Sequence, residues 1–510
     1  MGKLGKIVRT PSLFHIKTKQ MKSTLARFAV PAIVLISLLI QCPVASAANI
    51  IVSRDDANAS DTNTGTRKWP LKTIAAGLSA AFPGDKVIVL AGDYRTEDTG
   101  WGEGVIPAVG IDGGTDRIQL VAARGQSVVL NKLLIRNSTG LLVRGFCFTD
   151  RPFYQVPNWV PMPCTVRDAE FDSAPDYTLP YSTREQRVEE EFSTYLGLMR
   201  SLEFETAIAI EGSRDIKVLG NQIEGYWAGI QCNGAESIQI KSNQISCTSN
   251  GIFTFAPNPG LKDAVISGNY VTQSLDNGID IRAESENVLV QGNLVTFSGR
   301  SHISFQDGVT NSKISDNYLC FGGYYAETMV FPGASGISTN GTGEGISIER
   351  NIVLRQQDAT LVDGNGMIVD LVLPGSVVVV KDNISAYNDG AGLNTTASPN
   401  CVIQGNVFLQ NGFTPTLFSR GAGIKLSRSQ DIGQTITGNY FLLNRSASIN
   451  SSFTIRQQTE IDRNVYFSFA PLIWDGDAEG ENTYSTIRQV RKATGWEMNG
   501  ISFPFWWFRY

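Results

Sequence analysis

The stretch Asn277–Phe297, NGIDIRAESENVLVQGNLVTF, decides the fold. It holds three short runs, GIDIR, NVLVQ and LVTF, separated by the polar turn AESE and the tight turn Gly292-Asn293. Alternation of apolar and polar residues is the period of a β-strand, and Gly, Asn and Ser are what turns select. The same phrase recurs from about Thr206 to Asn439. One half is a glycine before an apolar residue, at Gly229, Gly251, Gly278, Gly336, Gly366, Gly392 and Gly423. The other is an asparagine at 221, 243, 269, 293, 317, 351, 383, 406 and 439, with spacings of 22, 26, 24, 24, 34, 32, 23 and 33 residues. Such a period, with insertions confined to particular turns, marks a solenoid. Three strands per coil, stacked in parallel about 4.8 Å apart, predict an all-β chain: a right-handed parallel β-helix. The asparagines then share one corner, where their amides stack into a ladder. A leucine-rich repeat, the rival solenoid, has a Leu-rich consensus and a helical half that are missing here.

The N-terminus reads as a targeting segment. Lys22 and Arg27 precede the apolar run 28–40, and Ala45-Ser46-Ala47 supplies a cleavage site, so residues 1–47 are expected to be a signal peptide. Met21 is an alternative start, which makes 1–20 an upstream extension. Leu39-Ile40-Gln41-Cys42 resembles a lipoprotein box except at Gln41. The run is short for a bilayer crossing, so no integral membrane span is expected in the mature chain. Removing 1–47 leaves 36 basic against 48 acidic residues, a net charge of −12. That balance argues against nucleic acid as a partner, while an acidic glycan can still be met by a local basic patch or a bound cation. His302 becomes the one histidine left. Six cysteines remain, with no CxxC or metal-ligand spacing. Cys232 falls at an inward position, and Cys147–Cys164 is the pair best placed to bridge.

Residues 48–95 read as an N-terminal cap: a strand, a polar loop, then a helix starting near Pro70 with Leu71, Ile74, Ala75 and Leu78 on one face. Such a helix covers the open end of the stack. ASDTNTGTRKWPLKTIAAGLSAAFPGDKVIVLAGDYRT resembles the opening of secreted bacterial pectate-lyase-like β-helix proteins, and TYSTIRQVRKATGWEMNG is similar to the closing helix and Thr-Gly turn of their polysaccharide-active members. The resemblance covers nearly the whole mature chain. It implies the fold and a superfamily of lyases, hydrolases, epimerases and binding proteins, but no single reaction. The expected layout is a β-helix over 96–465, interrupted by a Pro- and aromatic-rich insertion at 150–205, and a C-terminal capping segment over 466–510. The insertion reads equally as a functional lid or as a cover over one sheet.

Strand alternation names an outer face. Counting from each Gly-apolar pair, the outward residues are Gln231/Asn233, Phe253/Phe255, Asp280/Arg282, Ser304/Gln306, Ser338/Asn340, Ile368/Asp370, Asn394/Thr396 and Lys425/Ser427. Phenylalanines beside amides and charges suit a sugar's apolar face and its hydroxyls, so a polysaccharide is the expected substrate. In the resembled superfamily this strand and the turn before it form the substrate groove. The long leading turns add Tyr324, Tyr325 and Glu327, then Asp358, Asp363 and Asn365, then Arg420. The densest candidate site is Asp363, Asn365 and Asp370 with Asn394, Arg420 and Lys425. Asp370 and Lys425 are expected two rungs apart.

Two mechanisms suit these groups. β-Elimination from a uronate needs its carboxylate neutralised, by a cation or through Ca²⁺, and a base for the adjacent proton. GAGIKLS looks like the lysine-bearing strand of one calcium-dependent pectate lyase family, which implies Lys425 as that base. The cluster of four aspartates that binds the metal there has no counterpart here. Hydrolysis needs two carboxyls roughly 5–10 Å apart, for which Asp363 and Asp370 are the candidates. The NTD, DD and RIK motifs of polygalacturonase-type hydrolases are absent, as is the Asp-Pro-His type of motif of C5-epimerases. A second candidate set is Asp280, Arg282 and His302. His302 stands where other rungs carry Gly, which reads as catalysis or as a turn of different shape, and Asp280/Arg282 reads also as an ion pair. Long turns crowded on one side favour an enzyme over a noncatalytic glycan-binding protein; an exported lyase is the leading expectation, with a glycoside hydrolase on the same groove as the alternative.

Overall fold

The computed structural model describes residues 47–97, 99–102, 104–149, 205–255, 258–323, 334–357, 363–413, 421–451, 459–477 and 480–503. The expected signal peptide, nearly all of the insertion, Tyr324, Tyr325, Glu327, Asp358 and Arg420 lie outside the described residues.

The rung that opened the sequence reading folds as its alternation requires. Ile279–Ile281 lies in one sheet, Glu286–Gln291 in a second and Leu294–Thr296 in a third, and Ile303–Gln306 returns to the first. These are called sheets I, II and III. Among the described residues they hold 14, 15 and 14 strands. Every described pairing is parallel except Ile473–Asp477 with Gly480–Tyr484. The chain is a right-handed parallel β-helix.

Inward positions form continuous apolar columns. In sheet I, Ile230, Ile252, Ile279, Ile303, Ile337, Met367, Leu393 and Ile424 are in register and fully buried. Near the C-terminal end of sheet III, Phe408, Phe441 and Tyr466 stack with ring centroids 5.5 and 5.2 Å apart. Cys232 sits in this core as expected.

The asparagine ladder runs from Asn221 to Asn464. Asn293 is typical: its Nδ2 donates to Asn317 Oδ1 at 3.0 Å and to the Ile266 carbonyl at 3.0 Å, and its own Oδ1 accepts from the backbone and side chain of Asn269. Each ladder amide from Asn221 to Asn464 is bonded to the next rung, so each rung fixes its neighbour. The residue before each ladder Asn turns the corner in the left-handed region, as at Gly268, Gly292 and Gly438 with φ of 61°, 62° and 65°. That is why Gly-Asn pairs recur. A second ladder at the opposite end of the sheet III strands, Asn388–Asn411–Asn444, is an addition to the expected one.

Both ends are closed. A helix at Ile74–Ala80 starts after the N-cap Thr73 and buries Ile74, Gly77 and Leu78. A Cβ on Gly77 would stand 2.7 Å from Val52 and 2.8 Å from Val87, so helix and first strands are in direct contact. The helix begins later than expected, because Leu71 is used in a bridge to Val52. At the far end, Ile487–Thr494 has a capping box from Thr486 and Gln489 and stops at Gly495 with φ 75°. Glu497 follows, and its carboxyl accepts the Asn464 side chain at 2.6 Å, terminating the ladder. The expected Cys147–Cys164 bridge depends on Cys164, which lies outside the described residues.

Candidate functional site

The two outward columns of sheet I are in the expected register. The first runs Gln231, Phe253, Asp280, Ser304, Ser338, Ile368, Asn394 and Lys425. The second includes Gln306, Asn340, Asp370 and Thr396. Their exposure differs. Asp280 and Ser304 are fully buried, and Phe253, Ile368, Asn394 and Lys425 nearly so, whereas Gln306, Asn340, Asp370 and Thr396 are half-buried. The second column is therefore the more accessible of the two.

Asp370 closes the strand Asn365–Asp370. Its Oδ2 accepts from Asn340 Nδ2 at 3.1 Å, while Oδ1 is shielded from solvent and has no hydrogen-bond partner. Burial raises its pKa to about 6, helped by the charge of Asp431 and opposed by Arg428. Asp431 is fully buried in the turn that follows the Lys425 strand. Its Oδ1 accepts from Ser398 N at 2.8 Å, and its Oδ2 from Ser427 N at 2.9 Å and Arg428 N at 2.7 Å. Burial outweighs these donors and lifts Asp431 to about 6 as well. Three backbone N–H groups favour the Asp431 carboxylate, and its charge raises the pKa of Asp370. Ser398 joins the two: its hydroxyl donates to the carbonyl of Val369, next to Asp370, and its N–H binds Asp431. The sequence reading missed Asp431; the only signal was its position four residues after Ser427, whose N–H it binds.

Asp363 does not join this site. It lies in the turn before the strand that Asp370 ends, and six extended residues span roughly 17 Å. The expected pairing of Asp363 with Asp370 for hydrolysis is therefore not made. Asn365 is fully buried and accepts from Ala391 N at 3.0 Å, a structural bond. Lys425 is two rungs from Asp370, as expected, but in the other column, roughly 12 Å between Cα positions. Asn394 Oδ1 accepts from the Ser427 hydroxyl at 2.6 Å.

The second candidate set separates into structural parts. Asp280 Oδ2 accepts from Arg282 Nε at 2.8 Å and Asn277 Nδ2 at 3.0 Å. Arg282 lies over the Phe253 ring, 5.8 Å from its centroid. Phe253 and Phe255 pack with Trp227 in a three-ring cluster, which corrects the expectation of Phe253 as an open sugar platform. His302 is fully buried, with Nδ1 3.0 Å from the Ser298 hydroxyl, and burial pushes its pKa down to about 3. It is a neutral corner residue, not a group on the outer face.

An open cavity of about 690 Å³ adjoins the turns from sheet I into sheet II, lined in part by Glu236, Lys262, Glu284, Glu286 and Leu373. Its charge is acidic on balance. Among the described residues no three His, Cys, Asp or Glu side chains gather closely enough to hold a metal ion, and no helix is long and apolar enough to cross a membrane.

The model of one protein family, described as periplasmic copper-binding protein (NosD), matches residues 164–329. The described donors in that range gather into no group of three that could hold an ion: Cys232 is buried in the core, the Cys247 thiol bonds Gln273, Cys320 pairs in register with Thr296 and Leu354 on sheet III, and His302 bonds Ser298. Among solved structures, the A-module of mannuronan C-5 epimerase AlgE4 from Azotobacter vinelandii is 12% identical, covers 84% of this chain and 95% of its own, and has a TM-score of 0.41. Pectate lyase Pel9A is 11% identical, with coverages of 83% and 80% and a TM-score of 0.40. The Dettilon tailspike protein is 15% identical, with coverages of 83% and 68% and a TM-score of 0.41. These figures carry nothing about the reaction. A comparison with curated proteins finds no match.

Proposed function

We propose that the chain is an exported enzyme acting on polysaccharide, and that it cleaves a uronate-containing glycan by β-elimination with Asp370 as the base. The observation that carries this reading is Asp370 itself: a half-exposed carboxyl with a pKa raised to about 6 and no hydrogen bond to a cationic side chain among the described residues. A base whose pKa lies near neutral pH is well matched to proton transfer.

Elimination removes the proton beside the uronate carboxyl and expels the glycosidic oxygen at the next carbon. The carboxyl must first be neutralised, so that charge developing in the transition state is stabilised. Arg428 is exposed and acts electrostatically on Asp370, which puts a permanent cation beside the base. Lys425 adds positive charge two rungs from Asp370. Asn340 fixes the carboxyl that accepts the proton. Hydrolysis is less well supported. The rungs on either side of Asp370 carry Asn340 and Thr396 in its column, and Asp431, the nearby carboxyl, is fully buried.

The test is ultraviolet absorbance of the purified chain with a panel of acidic polysaccharides, with and without calcium or chelator. Growth of the unsaturated-uronate band is the expected result. New reducing ends without that band would replace elimination with hydrolysis. Binding without either product would make the chain a noncatalytic glycan-binding protein.

A further inference from the structure

The outer face of sheet III is unlike the other two. Its first outward column begins with the residue directly after each ladder asparagine, and register places Tyr270, Leu294, Tyr318, Ile384, Tyr440 and Ile501 on one line. These six side chains are 37% to 53% exposed. The three intervening rungs carry Ile or Val. The neighbouring outward column continues the apolar surface with the half-buried Leu354, Leu409 and Leu442. From Tyr270 to Phe467 neither column contains a charged residue. Sheet II, by contrast, presents Lys217, Lys313, Glu349, Lys381 and Glu460 on its outer side.

We infer that this face of sheet III is the contact surface of a homodimer, in which two copies stack their third sheets. Nine rungs at about 4.8 Å make a strip roughly 38 Å long. With two columns and their edges about 12 Å wide, its footprint is on the order of 450 Å², the size of the largest apolar patch of a typical monomer, which is often an interaction site. The strip alone supplies about half of the roughly 800 Å² per partner that a stable complex buries. Sheet faces stack about 10 Å apart, and a twofold axis makes one apolar strip complementary to itself. A glycan is the poorer occupant, because Leu294 and Ile384 interrupt the tyrosines and branched aliphatics give a sugar no flat ring.

Sedimentation velocity of the full chain at micromolar concentration tests this. Wild type is expected to sediment as a dimer. The double variant Tyr318→Lys/Ile384→Lys is expected to be monomeric, at least tenfold weaker in association, with unchanged circular dichroism. Leu294→Lys/Tyr440→Lys repeats the test at other rungs, should the first pair fail to fold. Gln404→Lys, on the exposed side of sheet II, should remain dimeric. The inference is overturned by a monomeric wild type, by a dimer that neither folded double variant weakens, or by monomers that cosediment with insoluble glycan through this face.

Discussion

Asp280 and Asp370 stand three rungs apart on the outer side of the same sheet, and burial raises the pKa of both. Their surroundings divide them. Asp280 is fully buried, with Arg282 bonded at 2.8 Å and Asn277 at 3.0 Å. Asp370 is half-exposed, holds a single side-chain bond from Asn340, and faces the charge of a second carboxyl. A paired buried charge is held for structure, and removing its partner leaves an uncompensated ion. A carboxyl held near neutral pH without a hydrogen-bonded cation gives the fold little, which is the usual state of a group kept for chemistry. The sharpest way to break the comparison is Asp370→Asn. Loss of a general base is expected to lower kcat by about 10²–10⁴-fold. The unsaturated-product rate measures this. A variant within threefold of wild type would remove Asp370 from the reaction.

The matching change, Asp280→Ala, is expected to act on stability. It strands Arg282, whose side chain is 24% exposed and keeps its contact with Phe253. Partial access to water softens the penalty for breaking a buried pair to about 3 kcal/mol. The urea midpoint of unfolding reads it. If Asp280→Ala unfolds at the wild-type midpoint yet loses activity, the two aspartates have the opposite roles.

Most of the fold was legible because it is periodic. The spacing of Asn221 to Asn439 and the Gly-apolar starts together specify rung, strand and corner, and hydrogen bonding then admits one arrangement of the amides. The outer columns of sheet I were legible for the same reason. What alternation cannot tell is which outward residue stays accessible: Asp280 and Ser304 are as outward as Asp370, yet fully buried. Asp363 and Asp370 are close in sequence, but a strand converts seven residues into distance, whereas Asp431 is 61 residues further on and reaches Asp370 through stacking. His302 was open to two readings because a residue in a glycine's place can mark chemistry or simply a filled corner. The strip on sheet III was visible in the sequence as an unused signal. An apolar residue follows the ladder Asn directly as well as two places on, as in Asn269-Tyr270-Val271, so both faces of that sheet are apolar.

The smallest expected effect separates the two carboxyls most cleanly, because it has opposite signs at the two sites. Asp370 is raised in the folded state to about 6, above its unfolded value of about 4. At pH 8 it is ionised in both states, and the folded protein carries the cost of keeping that charge partly buried beside Asp431. Asp370→Asn removes the charge while keeping an oxygen for Asn340, so it is expected to stabilise by about 1 kcal/mol at pH 8. As pH falls through the folded value near 6, wild type takes up the proton and recovers the difference. Below the unfolded value of about 4, both states of the wild type are protonated and the advantage is gone. Urea midpoints of the two proteins across this pH range should therefore converge on acidification. Asp280→Ala should remain the less stable protein at pH 8, where Asp370→Asn is the more stable one. Were Asp370→Asn to destabilise at pH 8, Asp370 would be a structural carboxylate like Asp280, and the poised base would have to be sought elsewhere on sheet I.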